Sequence, residues 1–125
     1  MIDSQTPVAV SPFLDLAPSI YRQRLVIEGY PEEPIGAEQI VEYLTRLSTC
    51  LDMTTLIEPV THCSDKYGWA GWIHWECSGA HFYAWERPTL FFSVDIYTCK
   101  GFRPEDAERF TRDYFHARKL VTRAF

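Results

Sequence analysis

The segment from Tyr67 to Trp85, YGWAGWIHWECSGAHFYAW, narrows the choice of fold more than any other part of this 125-residue chain. It is crowded with aromatic rings and short of strong helix formers, which suits the half-buried surface of a pleated sheet. It reads as one long strand or two, interrupted near Ser78 and Gly79, because a glycine inside a strand weakens it. After a turn at Glu86 to Pro88, the run LFFSVDIYTC from Leu90 to Cys99 is apolar enough to be a central strand.

The flanking sequence supplies the second layer. RLVIEGY alternates and is rich in β-branched residues, predicting a strand over 22–30. Ile40, Leu44, Leu47 and Leu51 recur at helical spacing and give one apolar face over 37–51. Thr54, Thr55, Leu56 and Ile57 mark a strand over 53–61. Pro104, followed by Glu105 and Asp106, opens a second helix: proline's fixed φ suits a first turn, and acids there face the positive end of the dipole. Ala107, Phe110 and Tyr114 form its expected inward stripe. KLVTRAF ends the chain as a strand. The order β-α-β-β-β-α-β predicts an α+β two-layer sandwich, with a largely antiparallel sheet carrying both helices on one face. Residues 1–18 hold Pro7, Pro12 and Pro18 without periodicity and read as an N-terminal arm. Residues 19–125 read as a single domain.

Composition excludes several partners. A net charge of −5, with twelve Lys and Arg scattered along the chain, offers no basic stripe for nucleic acid. No apolar run approaches the roughly 18 residues of a membrane span. The acidic start of the chain does not fit a secretory signal, so a cytoplasmic location is expected. Cys50, Cys63, Cys77 and Cys99 form no Cys-x-x-Cys pair and are expected to be reduced thiols. His62, Cys63, His74, Cys77 and His81 are zinc-ligand types, but His74 and Cys77, three apart in a strand, point to opposite faces, so no metal is expected.

From Tyr67-Gly68 through Gly71 and Ser78 to Trp85, and again at the string VDIYTC (Val94 to Cys99), the chain resembles the small bacterial S-adenosylmethionine decarboxylases, pyruvoyl enzymes of polyamine (spermidine) biosynthesis. Leu25 to Glu28 is similar to that family's first strand, so the resemblance spans about residues 20–125. It implies cleavage between Cys77 and Ser78: the Ser78 hydroxyl attacks the preceding carbonyl, and the resulting ester eliminates to leave a pyruvoyl group derived from Ser78. That group condenses with the amine of a small substrate such as S-adenosylmethionine and takes up electrons as carbon dioxide leaves. Cys99 matches the residue that reprotonates the product, a role within reach of a thiol. The resemblance also implies a homodimer.

Several positions depart from the family pattern. Cys77 stands where the family has glutamate, and Gly79 and Tyr83 where it has histidines. Ala70 stands where it has a serine, and Ser64 where it has an aromatic ring ahead of Tyr67-Gly68. Trp-Pro-Glu has become Trp85-Glu86-Arg87-Pro88, which puts Trp85 and Glu86 at the substrate-binding position. His81, two residues before Tyr83 and therefore on the same strand face, is a candidate replacement. On residue type alone Ser78 is a small sheet residue, Cys99 a buried thiol, His81 a site residue or a satisfied sheet histidine, and Glu28 either a ligand carboxylate or an exposed strand acid. Trp69, Trp72, Trp75 and Trp85 read as core and interface. Two functions follow: a divergent pyruvoyl decarboxylase for S-adenosylmethionine or another amino acid, or an unprocessed, non-catalytic relative that binds a ligand or partners a competent subunit.

Overall fold

A computed structural model describes residues 12–125. Most of the expected arm therefore lies outside the described residues; from Pro12 to Arg22 the chain has neither helix nor strand and is largely exposed. The elements that follow are β1 (Gln23–Tyr30), α1 (Ala37–Cys50), β2 (Thr55–Ser64), β3 (Gly68–Trp75), β4 (Ser78–Trp85), β5 (Phe91–Thr98), α2 (Pro104–Phe115) and β6 (Lys119–Ala124). The aromatic stretch thus makes two strands, and the order becomes β-α-β-β-β-β-α-β. The break falls at Glu76 and Cys77, and Trp75 pairs directly with Ser78 across a tight hairpin.

The six strands form one antiparallel sheet in the order β2-β3-β4-β5-β1-β6. This order explains why only two connections are helical. With every neighbouring pair antiparallel, β1 runs parallel to β2, and β5 runs parallel to β6. A tight turn cannot join parallel strands, so α1 and α2 make those two crossovers. β5 lies between β4 and β1, the central place its apolar sequence predicts.

Alternation decides what is buried. Leu25, Ile27, Ile73, Trp75, Ala80, Phe82, Ala84, Phe92, Val94 and Ile96 point to the helix-covered face and meet Ile40, Tyr43, Leu44 and Leu47 of α1 and Ala107 and Phe115 of α2. The apolar face expected of α1 is therefore in place. On α2 the most deeply buried row is Ala107, Thr111 and Phe115, while Phe110 and Tyr114 pack partly buried beside it. Long aromatic rings reach the core from this flank: Phe110 stacks on Tyr43 at 5.5 Å between centroids. β2 begins two residues later than its composition suggests, because Asp52 turns at φ 57° and the Met53 N–H donates to the Ser48 carbonyl at 2.8 Å to finish α1. Gly71 lets α1 approach β3 closely; a Cβ there would lie 2.6 Å from Ile40 Cγ2.

The tryptophans divide between the two faces. Trp75 is fully buried and Trp69 packs partly against the core, whereas Trp72 and Trp85 sit half-buried on the helix-free face. Among the described residues no helix is long and apolar enough to cross a membrane.

Buried polar groups are joined in short chains. The Tyr43 hydroxyl lies 2.7 Å from Thr111 Oγ1, which donates to the Ala107 carbonyl. Trp75 Nε1–H donates to Ser48 Oγ at 2.7 Å, and that hydroxyl donates to the Leu44 carbonyl. Ser48→Ala strands the buried indole N–H and should cost about 1–3 kcal/mol in denaturant unfolding. Adding Trp75→Phe removes the stranded donor, so the double variant should lose less than the sum of the two single losses.

Candidate active site

The hairpin that joins β3 to β4 is shaped by two adjacent residues. Ser78, the first residue of β4, has φ 97°, a backbone conformation rare for a residue with a side chain. Such conformations carry roughly 1–3 kcal/mol of strain and persist only where neighbouring structure imposes them. Gly79 is part of that imposition. A Cβ on it would lie 2.3 Å from the Ile73 carbonyl oxygen, so only glycine lets the two strands close this tightly. The strain sits on Ser78 itself, and the contribution of Gly79 is steric room.

The sequence-predicted residues Cys77, Ser78 and Cys99 come together. Ser78 pairs with Thr98 across the β4–β5 ladder, which brings Cys99 opposite Cys77. The Cys99 N–H donates to the Cys77 carbonyl at 3.2 Å. That carbonyl belongs to the peptide bond preceding Ser78, so a fixed donor already points at the oxygen on which charge would develop if a nucleophile attacked it. Partial burial pushes the Cys77 thiol up, and the adjoining Cys99 thiol pushes it further. Thr98, fully buried, donates its hydroxyl to the Lys100 carbonyl at 2.7 Å, and Lys100 Nζ reaches the Asp52 carboxylate at 3.2 Å. These three residues brace the end of the sheet beside Ser78. Nothing in their sequence spacing signals it, because the strand register creates the neighbourhood.

His81 and Tyr83 occupy a second locus. Both are exposed on the helix-free face, with His81 Nδ1 3.1 Å from the Tyr83 hydroxyl. Tyr83 pairs with Ala70, so two of the positions that depart from the family pattern are direct neighbours, and His81 contacts one of them. Along β4, at about 3.3 Å per residue, His81 lies roughly 10 Å from Ser78 and Tyr83 roughly 16 Å. His81 is also opposite Asp95, whose carboxylate holds Arg24 through two bonds of 3.0 and 2.8 Å. Glu28 is on the same face and accepts the Ser93 hydroxyl at 2.8 Å, and Ser93 is opposite Tyr83.

Trp85 and Glu86 form a third locus at the far end of β4. Trp85, on the helix-free face, packs on Phe91 at 5.4 Å and Tyr83 at 6.1 Å between centroids. Seven residues separate Trp85 from Ser78, about 23 Å of strand, so the single chain does not bring this expected substrate-binding pair to the hairpin. Glu86 lines a cleft of about 260 Å³ with Ser64, Lys66, Tyr67 and Arg87, and its N–H donates to the Tyr67 carbonyl at 3.0 Å. Among the described residues no three His, Cys, Asp or Glu side chains gather as a metal site.

No curated protein sequence is significantly similar to the chain. Among solved structures, the fold is similar to the crystal structure of the adenosylmethionine decarboxylase from Aquifex aeolicus, with a TM-score of 0.67 at 17% identity, covering 85% of this chain and 89% of that one. The family model for S-adenosylmethionine decarboxylase matches residues 26–125. That span takes in every strand and both helices apart from the first residues of β1, and with it the hairpin at Ser78 and its neighbour Cys99: the chain belongs to the S-adenosylmethionine decarboxylase family.

Proposed function

We propose that the chain is a cytoplasmic, self-processing decarboxylase of S-adenosylmethionine in polyamine biosynthesis, with Ser78 as the origin of its prosthetic group. One observation carries the reading: the peptide bond before Ser78 combines a strained serine with a carbonyl already held by the Cys99 N–H. The Ser78 hydroxyl adds to the Cys77 carbonyl carbon, and the N–H of Cys99 stabilises the charge that forms on its oxygen. Departure of the Ser78 nitrogen relieves the imposed φ and leaves an ester, whose elimination frees Cys77 as a new carboxyl terminus and leaves dehydroalanine at position 78. This tautomerises to an imine that water hydrolyses, releasing ammonia and leaving the pyruvoyl carbonyl.

The residues fit a pyruvoyl group at this point, because the serine that would generate it opens a strand beside a thiol able to return a proton. When present, that group supplies an electron sink for loss of carbon dioxide. The chain's own part is to hold the substrate, exclude water and deliver a proton from Cys99. Glu28 offers a carboxylate for a cationic substrate, and Trp85 an aromatic surface, with Glu86 beside it.

A homodimer accounts for the distance between the three loci. Trp72, His81, Tyr83, Trp85, Phe91 and Tyr97 stand on the helix-free face, and Tyr83 and Tyr97 keep 40% and 46% of their surface exposed. A second copy laid on this face would bury the rings and bring His81 and Tyr83 toward a neighbouring Ser78. His81, within reach of Tyr83, then takes over the acid–base work of the family histidine.

A second reading is favoured by the substitutions at Ala70, Cys77, Gly79 and Tyr83, which remove groups tied to processing in the family. On that reading the chain stays whole and serves as a ligand-binding or partner subunit.

Intact-mass measurement separates the two. Self-cleavage yields fragments 1–77 and 78–125, the second blocked at its amino terminus; a single full-length mass in freshly purified and aged protein rejects the enzyme. Ser78→Ala should abolish both cleavage and carbon dioxide release. Cys99→Ala, if cleaved, should lose about 10²–10⁴-fold in decarboxylation, the usual contribution of a positioned acid. Gly79→Ala should slow cleavage by opening the hairpin, seen as persisting full-length chain. Sedimentation should report a dimer, and Tyr83→Arg together with Trp72→Arg should convert it to a monomer.

A further inference from the structure

The reaction uses Cys99 as a proton donor and Cys77 only through its carbonyl, yet the fold places the two thiols together. The ladder that pairs Ser78 with Thr98 puts Cys77 opposite Cys99 one step further on, and the Cys99 N–H donates to the Cys77 carbonyl at 3.2 Å. Cys77 lies in the hairpin turn and Cys99 just past β5, joined by this one backbone bond and with neighbouring thiols. Residues facing each other at the end of an antiparallel pair have Cα atoms about 4.5–5.5 Å apart, inside the roughly 4.4–6.8 Å range that a disulfide spans. The other two cysteines are exposed on separate elements, Cys50 at the end of α1 and Cys63 in β2.

We propose that Cys77 and Cys99 are a redox-sensitive dithiol that closes to a reversible disulfide between the β3–β4 hairpin and the residue after β5, at the processing position. The oxidant is a low-molecular-weight disulfide such as oxidised glutathione. One cysteine thiolate attacks it and expels one glutathione thiolate; the second cysteine then displaces the remaining glutathione. The protein loses two thiol hydrogens, and one glutathione disulfide becomes two thiols. The upward push on the Cys77 thiol makes the exchange faster as pH rises. An accessible bridge of this kind is readily reduced again. Closure also removes the proton that Cys99 would deliver; that consequence rests on the function proposed above, whereas the bridge itself does not.

The test is oxidation of the full chain with excess oxidised glutathione, followed by mass measurement under denaturing, non-reducing conditions. A Cys50→Ser, Cys63→Ser variant leaves the hairpin untouched and should lose the mass of two hydrogens, and digestion after glutamate should leave peptides 77–86 and 87–105 joined until reductant is added. Cys77→Ser should show no such link. Glutathione adducts without the link, or a link that survives Cys77→Ser, overturn the proposal. In self-cleaved protein the two fragments should stay joined on oxidation, separate with reductant and regain decarboxylation. A bridged chain that never cleaves upholds the dithiol and rejects the processing.

Discussion

Coverage of one sheet face by two helices is the constraint from which the rest of this molecule follows. The sheet can bury only alternate residues, so Phe82 and Phe92 stack with each other and pack on Phe115 of α2, while Tyr43 of α1 meets Phe82 and Phe115. This interlocked cluster ties both helices to the centre of the sheet. The intervening residues then face away from the core, and on β4 and β5 they are the ones with useful chemistry: His81, Tyr83, Ser93 and Asp95.

The same alternation sets limits on chemistry within one chain. β4 carries the strained serine at its start, the His81–Tyr83 pair in its middle and Trp85 at its end. A straight strand cannot bring its two ends together, so within one chain these groups stay apart. The exposed rings on the helix-free face provide a surface of the right character, since aromatic residues with a polar edge are favoured where two proteins meet.

The departures from the family pattern fall at two places, the hairpin and the open face of the sheet, with different physical meaning. Gly79 is demanded by backbone contact with Ile73, so a histidine cannot stand there in this hairpin. Cys77 exchanges an acid for a thiol whose neighbour is a second thiol. Ala70 and Tyr83 are paired on the open face, so the loss of a hydroxyl at one and of an imidazole at the other change a single spot, and His81 returns an imidazole to it. Ser78 follows directly on the Cys77 carbonyl, which accepts the Cys99 N–H.

Much of this was legible in the sequence, because it depends on local pattern. The helical spacing of Ile40, Leu44 and Leu47 placed α1, the apolar run before Cys99 placed a central strand, and the VDIYTC string with Ser78 pointed to the family. What lay beyond the sequence depends on pairing register and on backbone dihedrals. The split of the aromatic run at Glu76 and Cys77, the φ of Ser78, the contact between Cys77 and Cys99 and the distance of Trp85 from Ser78 all follow from which residues stand opposite one another. Spacing along a chain fixes which face a side chain takes, but the partner across a strand is chosen by the packing of the whole sheet against its helices, and only the folded molecule contains that choice.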